Sequence, residues 1–158
     1  MRRVTPKALL LLGLVASALA SPAAGDYRFI SPGVKLGYTF GKQGGFTGGF
    51  EVSYIVWYKN TAHAAVLVVD LQEKMAKYHV GYQISSFAGI ELGPTLVLKT
   101  DGKPDLGWTA TPFIGAVVPY LYYSHTFMFS PEKDIDETGL LLKLPLPLEG
   151  HEMDLGFD

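Results

Sequence analysis

In GVKLGYTFGKQGGFTGGFEVSY, residues 33–54, large apolar residues recur at every second position, and glycine or a small polar residue fills many of the positions between them. A period of two belongs to β-strands with two chemically different faces. Carried along the chain, this alternation predicts eight strands, over residues 33–41, 46–58, 62–71, 76–85, 89–99, 106–117, 119–129 and 138–146. The segments KQGG, YKNT, DLQEK, SSFA, TDGKPD, VVP and SPEKDIDET carry turn chemistry between them. Most of these strands have the roughly 9–11 residues that a tilted strand needs to cross a bilayer. No segment shows helical periodicity of useful length, heptads or a linker to a second domain.

The first hairpin can be put in register from its glycines. If Gly41 and Gly45 flank a three-residue loop, Lys35 opposes Glu51, Gly37 opposes Gly49 and Thr39 opposes Thr47. Val34–Val52, Leu36–Phe50 and Phe40–Phe46 then pair on the other face. The pattern returns further on, where Lys77, His79, Gly81 and Gln83 share one face of a strand against Tyr78, Val80, Tyr82 and Ile84. Glu91, Gly93 and Thr95 likewise stand against Ile90, Leu92, Leu96 and Leu98.

Crowding decides which face is inside. The lumen of an eight-stranded barrel is just wide enough for side chains to fill, so glycine belongs on its inner face. Here glycine travels with charge, which sends the apolar face outward to lipid. The expected fold is an all-β, eight-stranded antiparallel up-and-down barrel of the transmembrane type. Lys35, Glu51, Lys77, His79, Gln83, Glu91 and Lys99 are the expected lumen network, in which each buried charge needs a partner. Phe40, Phe46, Tyr54, Tyr58, Tyr120, Tyr122, Phe127 and Phe129 are the expected aromatic girdle at the strand ends. Two features strain the scheme. Residues 62–71 (AHAAVLVVDL) are apolar on both faces, and Pro94, Pro145 and Pro147 each remove a ladder donor.

Composition agrees with an apolar exterior. Charged residues make up 18% of the chain, below the quarter usual in soluble domains. Arg2, Arg3 and Lys7 precede the apolar run Ala8–Ala20, which ends in small residues, so residues 1–20 read as a secretory signal peptide. Its removal leaves 10 basic against 15 acidic residues, formally −5. No basic cluster remains for nucleic acid, and zero cysteines exclude a disulfide scaffold. The expected organisation is a lead-in over 21–30, the barrel over 31–148 and a tail over 149–158.

SPGVKLGYTFG (31–41), GGFTGGFEVSY (44–54), GPTLVL (93–98), TPFIGAVVPYLYYSHTF (111–127) and TGLLLKLPL (138–146) together resemble a family of predicted small bacterial outer-membrane β-barrel proteins. The resemblance spans nearly the whole mature chain. With the signal peptide it implies a place in the outer membrane of a diderm bacterium, with membrane lipid and the outer-membrane assembly machinery as partners, and it brings no activity to any residue; the chain is expected to be a monomer. Outer-membrane barrels commonly end in an aromatic residue, whereas this chain ends GFD. EGHEMDLGFD is therefore either a periplasmic tail or the source of a final pairing.

Candidate chemistry is sparse. Ser124 and His125 superficially resemble the serine and histidine of lipid A deacylases, which use a His-x-Ser spacing. As neighbours on a strand, these two point to opposite faces. His63, His79, His125 and His151 are scattered, and Glu149, His151, Glu152 and Asp154 read as a solvated tail, so neither a metal nor a cofactor is expected. The functional expectation is a small barrel with a mostly plugged polar lumen and a structural, adhesive or loop-binding role without catalysis. Two alternatives stand beside it: a soluble lipocalin-like barrel with an apolar ligand inside, and an outer-membrane lipid hydrolase.

Overall fold

A computed structural model describes residues 27–41, 44–100, 102–115, 118–130 and 134–148. Its strands are β1 (Tyr27–Thr39), β2 (Gly45–Tyr58), β3 (Thr61–Leu71), β4 (Met75–Ser85), β5 (Ala88–Lys99), β6 (Asp105–Gly115), β7 (Pro119–Met128) and β8 (Ile135–Lys143), followed by the two-residue β9 (Leu146–Pro147). Each of the eight long strands pairs antiparallel with its sequence neighbours. The pairing of β1 with β8 then closes the sheet into a barrel. The expected fold is thus the observed one. The signal-peptide and tail readings fall on residues 1–20 and 149–158, outside the described residues.

One end of the barrel carries the two-residue connections 59–60 and 86–87, segment 116–118, and the described chain ends. Connections 40–44, 72–74, 100–104 and 129–134 lie at the other end. In the tight turn between β2 and β3, Lys59 takes the left-handed region, with φ of 53°. β1 begins within the stretch expected to be a lead-in, because Tyr27–Ser31 find partners along β2 from Trp57 to Ser53. β8 starts three residues earlier than its alternation suggests, since IDET is strand rather than turn.

The inner and outer faces are chemically inverted relative to a soluble barrel. Each long strand turns an exposed apolar side chain outward: Leu36, Phe50, Leu67, Val80, Leu92, Leu106, Leu121 and Leu142 in order. Among the described strand residues, only Arg28 and Asp136 place a formal charge on the outer face, and both lie near strand ends. The buried set contains Lys35, Glu51, Asp70, Lys77, Glu91, Glu137 and Lys143.

The two-sided apolar strand and the prolines fit for separate reasons. Ala64, Val66 and Val68 face inward as a small dry cluster against Ile55, so the polar lumen has one apolar wall, which Asp70 terminates. The β4–β5 ladder runs from His79↔Thr95 to Tyr82↔Leu92 without pairing between them, where Pro94 offers no N–H. The β6–β7 ladder skips Pro112 in the same way. There Thr111 Oγ1 donates to Ser124 Oγ at 3.0 Å, a side-chain bridge across the gap.

Candidate functional site

The sequence-derived register of the first hairpin is corrected by two residues. Lys35 opposes Gly49, and Glu51 opposes Gly33, because the β1–β2 connection has five residues rather than three. A two-residue shift keeps each side chain on its own face, so Lys35 and Glu51 stay inside but lose each other. Their actual partners come from further round the barrel.

Lys35 Nζ donates to Asp70 Oδ2 at 2.9 Å and lies 3.6 Å from Glu137 Oε1. Lys77 Nζ donates to Glu137 Oε2 at 2.5 Å and lies 3.4 Å from Asp70 Oδ2. Four charges from β1, β3, β4 and β8 thus form a closed quadrilateral of alternating sign. Glycine makes the span possible. Gly49 stands between Lys35 and Asp70 in the ladder, and a Cβ there would collide with Asp70 Oδ1 and the Val69 carbonyl.

Tyr122 completes this cluster. Its hydroxyl donates to Glu137 Oε1 at 2.7 Å, and Lys35 Nζ sits 4.7 Å from its ring centroid. The tyrosine fits because Gly139 and Gly37, its successive cross-strand neighbours, leave room for it. A Cβ on Gly37 would strike the Tyr122 hydroxyl. Thr39 Oγ1 also donates to Glu137, at 3.3 Å. Toward the longer connections, Gln72 Nε2 donates to the Thr39 and Thr47 hydroxyls at 2.5 and 2.8 Å.

A second cluster lies nearer the end with the short turns. Lys143 Nζ pairs with Glu51 Oε1 and donates to Ser53 Oγ at 3.0 Å and Gln83 Oε1 at 2.9 Å. Ser53 Oγ donates back to Glu51 at 2.8 Å. His79 Nε2 lies 2.8 Å from Glu91 Oε1, within ion-pair range but off the line of a hydrogen bond, while its Nδ1 meets Thr95 Oγ1 at 2.9 Å. Thr95, Thr109 and Thr126 continue as a chain of hydroxyl contacts at 2.5 and 2.9 Å. Between the clusters is a void of about 20 Å³, bordered by Lys35, Glu51, Gln83 and Glu91, room for roughly one water molecule.

The structure therefore brings together Lys35, Glu51, Lys77, His79, Gln83 and Glu91, and adds Asp70, Glu137 and Lys143, which sequence reasoning missed. Lys99 lies apart, half-buried at the end of β5. Of the expected girdle, Phe40, Phe46, Phe127 and Phe129 are exposed toward the longer connections, and Tyr54 and Tyr58 face outward toward the short turns. Tyr120 and Tyr122 are corrections. The inward parity of β7 falls on even numbers, so Tyr122 is buried and Tyr120 borders the lumen void. The β7 pattern YLYYSHT, aromatic on both faces, hid that parity.

Ser124 and His125 do point apart. Ser124 is buried in the lumen, whereas His125 lies on the outer wall with its Nδ1 2.7 Å from Asp136 Oδ1, an oxygen that also accepts from Tyr123 at 2.5 Å. His63 Nδ1 contacts the Tyr82 hydroxyl at 2.6 Å, also outside. Among the described residues, no group of three or more His, Cys, Asp or Glu is arranged to hold a metal ion; His151 and the acidic residues 149, 152 and 154 lie beyond them.

No protein-family model and no curated protein matches the chain. Among solved structures, similarity is found to a de novo designed transmembrane β-barrel, at 10% identity and a TM-score of 0.42 over 73% of this chain and 95% of that one. A second similar structure is the Yersinia pestis outer-membrane protein Ail in a phospholipid bilayer nanodisc, at 10% identity and a TM-score of 0.42 over 72% of this chain and 99% of that one.

Proposed function

We propose that this chain is a small, monomeric outer-membrane barrel of a diderm bacterium, exported through residues 1–20 and inserted by the outer-membrane assembly machinery. Its lumen is plugged, and its role is structural or a matter of binding and adhesion through the connections at 100–104 and 129–134. The observation that carries this reading is the inversion of faces: apolar side chains circle the outside on all eight long strands, while lysines and carboxylates are neutralised within. In water, an unbroken apolar ring of this kind far exceeds the patches that soluble monomers expose. In a bilayer it is the required exterior.

A lipocalin-like carrier needs an apolar interior, and the ion-pair clusters weigh against one. The hydrolase reading loses its nucleophile–base pair with Ser124 and His125 on opposite faces, and no catalytic role is assigned. The plugged lumen rests on the two clusters and the single-water void between them.

Membrane fractionation followed by gel electrophoresis of heated and unheated samples tests the proposal. Detergent-dependent extraction and a faster-migrating unheated band are expected. Release of intact protein by salt alone would overturn the membrane assignment, and steady ion conductance of the purified protein in planar bilayers would overturn the plug.

A further inference from the structure

Above the Lys143 cluster, at the end of the barrel with the short turns, the lumen widens into a cavity of about 290 Å³. We propose that this cavity is a binding site for a neutral, medium-chain amphiphile, a straight-chain alcohol or its equivalent, entering from the face that carries the short turns. Phe29, Ile55, Trp57 and Ala62 make its wall apolar. An engineered cavity of about 150 Å³ takes up benzene, so this volume suits a chain of roughly ten to twelve heavy atoms.

The polar groups at the site define the head of the ligand. Ser31 is 1% exposed and borders this cavity, and its buried hydroxyl has no hydrogen-bond partner. An unmet buried hydroxyl is costly, and a ligand hydroxyl could meet it. Lys143 also borders the cavity, but an ammonium has three donors, and Glu51, Ser53 and Gln83 already take them. The site therefore offers a hydrogen bond without a spare charge. A fatty acid would bring its carboxylate to a lysine already neutralised beside Glu51, so the neutral alcohol is preferred.

The chain has two tryptophans, and they divide the test. Trp57 borders the cavity, whereas Trp108 is on the outer wall. The full-length protein in lipid nanodiscs, as a Trp108→Phe variant, is titrated with 10-bromo-1-decanol, whose bromine quenches nearby indole. A Trp57→Phe variant reports partition of the probe into lipid. The expected result is saturable quenching of Trp57 at probe concentrations that leave Trp108 little changed. Ser31→Ala should weaken binding about threefold to tenfold, Ala62→Leu should abolish it, and 10-bromodecanoate should bind at least tenfold more weakly. Each variant is first checked for the heat-modifiable folded band; if Ala62→Leu lacks it, Ala62→Val should still reduce affinity. Quenching that is linear and parallel at the two tryptophans, or insensitive to filling at Ala62, would overturn the proposal. So would equal binding of the carboxylate, or no quenching at all.

Discussion

Replacing Glu137 by glutamine preserves shape and removes one corner of the charge quadrilateral. Glu137 is fully buried and is the carboxylate shared by Lys77, Lys35, Tyr122 and Thr39. Breaking a buried ion pair on one side costs about 3–5 kcal/mol, because the surviving charge is left uncompensated. Here both lysines keep Asp70, at 2.9 and 3.4 Å, which places the expected loss near the lower figure, about 3 kcal/mol. That is roughly a 150-fold change in the unfolding equilibrium. Adding Lys77→Met should recover part of it, since Lys35 and Asp70 then remain as a balanced pair. The double variant should be more stable than Glu137→Gln alone, with a coupling energy of about 2 kcal/mol. Urea unfolding in lipid vesicles, followed by tryptophan fluorescence, measures all four corners of the cycle. Effects that add to within about 0.5 kcal/mol would refute the idea that these charges depend on one another.

The same cycle distinguishes the observed register from the one alternation suggests: Lys35 with Asp70 should couple by more than about 1 kcal/mol and Lys35 with Glu51 by less than about 0.5. Gly49→Ala should destabilise by about 1–3 kcal/mol through the collision with Asp70 and Val69. Its neighbour Gly48→Ala faces open space and should be stabilising by about 0.5–1 kcal/mol; equal effects in urea unfolding would remove crowding as the explanation. Leu67→Arg, midway along β3 on the outer wall, should cost about 2–4 kcal/mol in a bilayer, whereas a change within about 0.5 kcal/mol would indicate a water-exposed wall.

Strand parity was the most legible property of this sequence, and partnership the least. Gly37, Gly49 and Gly81 reveal the crowded face because alternation is local and survives an error of two residues in register. Partners are set by the whole barrel. Lys35 meets a carboxylate two strands away over Gly49 and another on β8, and no hairpin rule could pair them. Glu137 escaped notice because IDET is rich in turn-forming residues, although tertiary pairing with β7 and β1 makes it strand. Lys143 was hidden by LLLKLPL, where leucines occupy both faces. In such a segment the period of two carries no orientation.

The quadrilateral also bears on the order in which the barrel is assembled. Lys35, Asp70 and Lys77 belong to the first four strands, whereas Glu137 arrives with the eighth. A sheet of β1–β7 in contact with lipid would carry one more ammonium than carboxylate at this level, with the β1 edge unpaired. Its open edge and its surplus charge are both resolved by the same event, the docking of β8. Partly built sheets are thereby penalised twice in hydrocarbon. The physical expectation is that insertion and closure occur as one cooperative step, with the last strand acting as the latch.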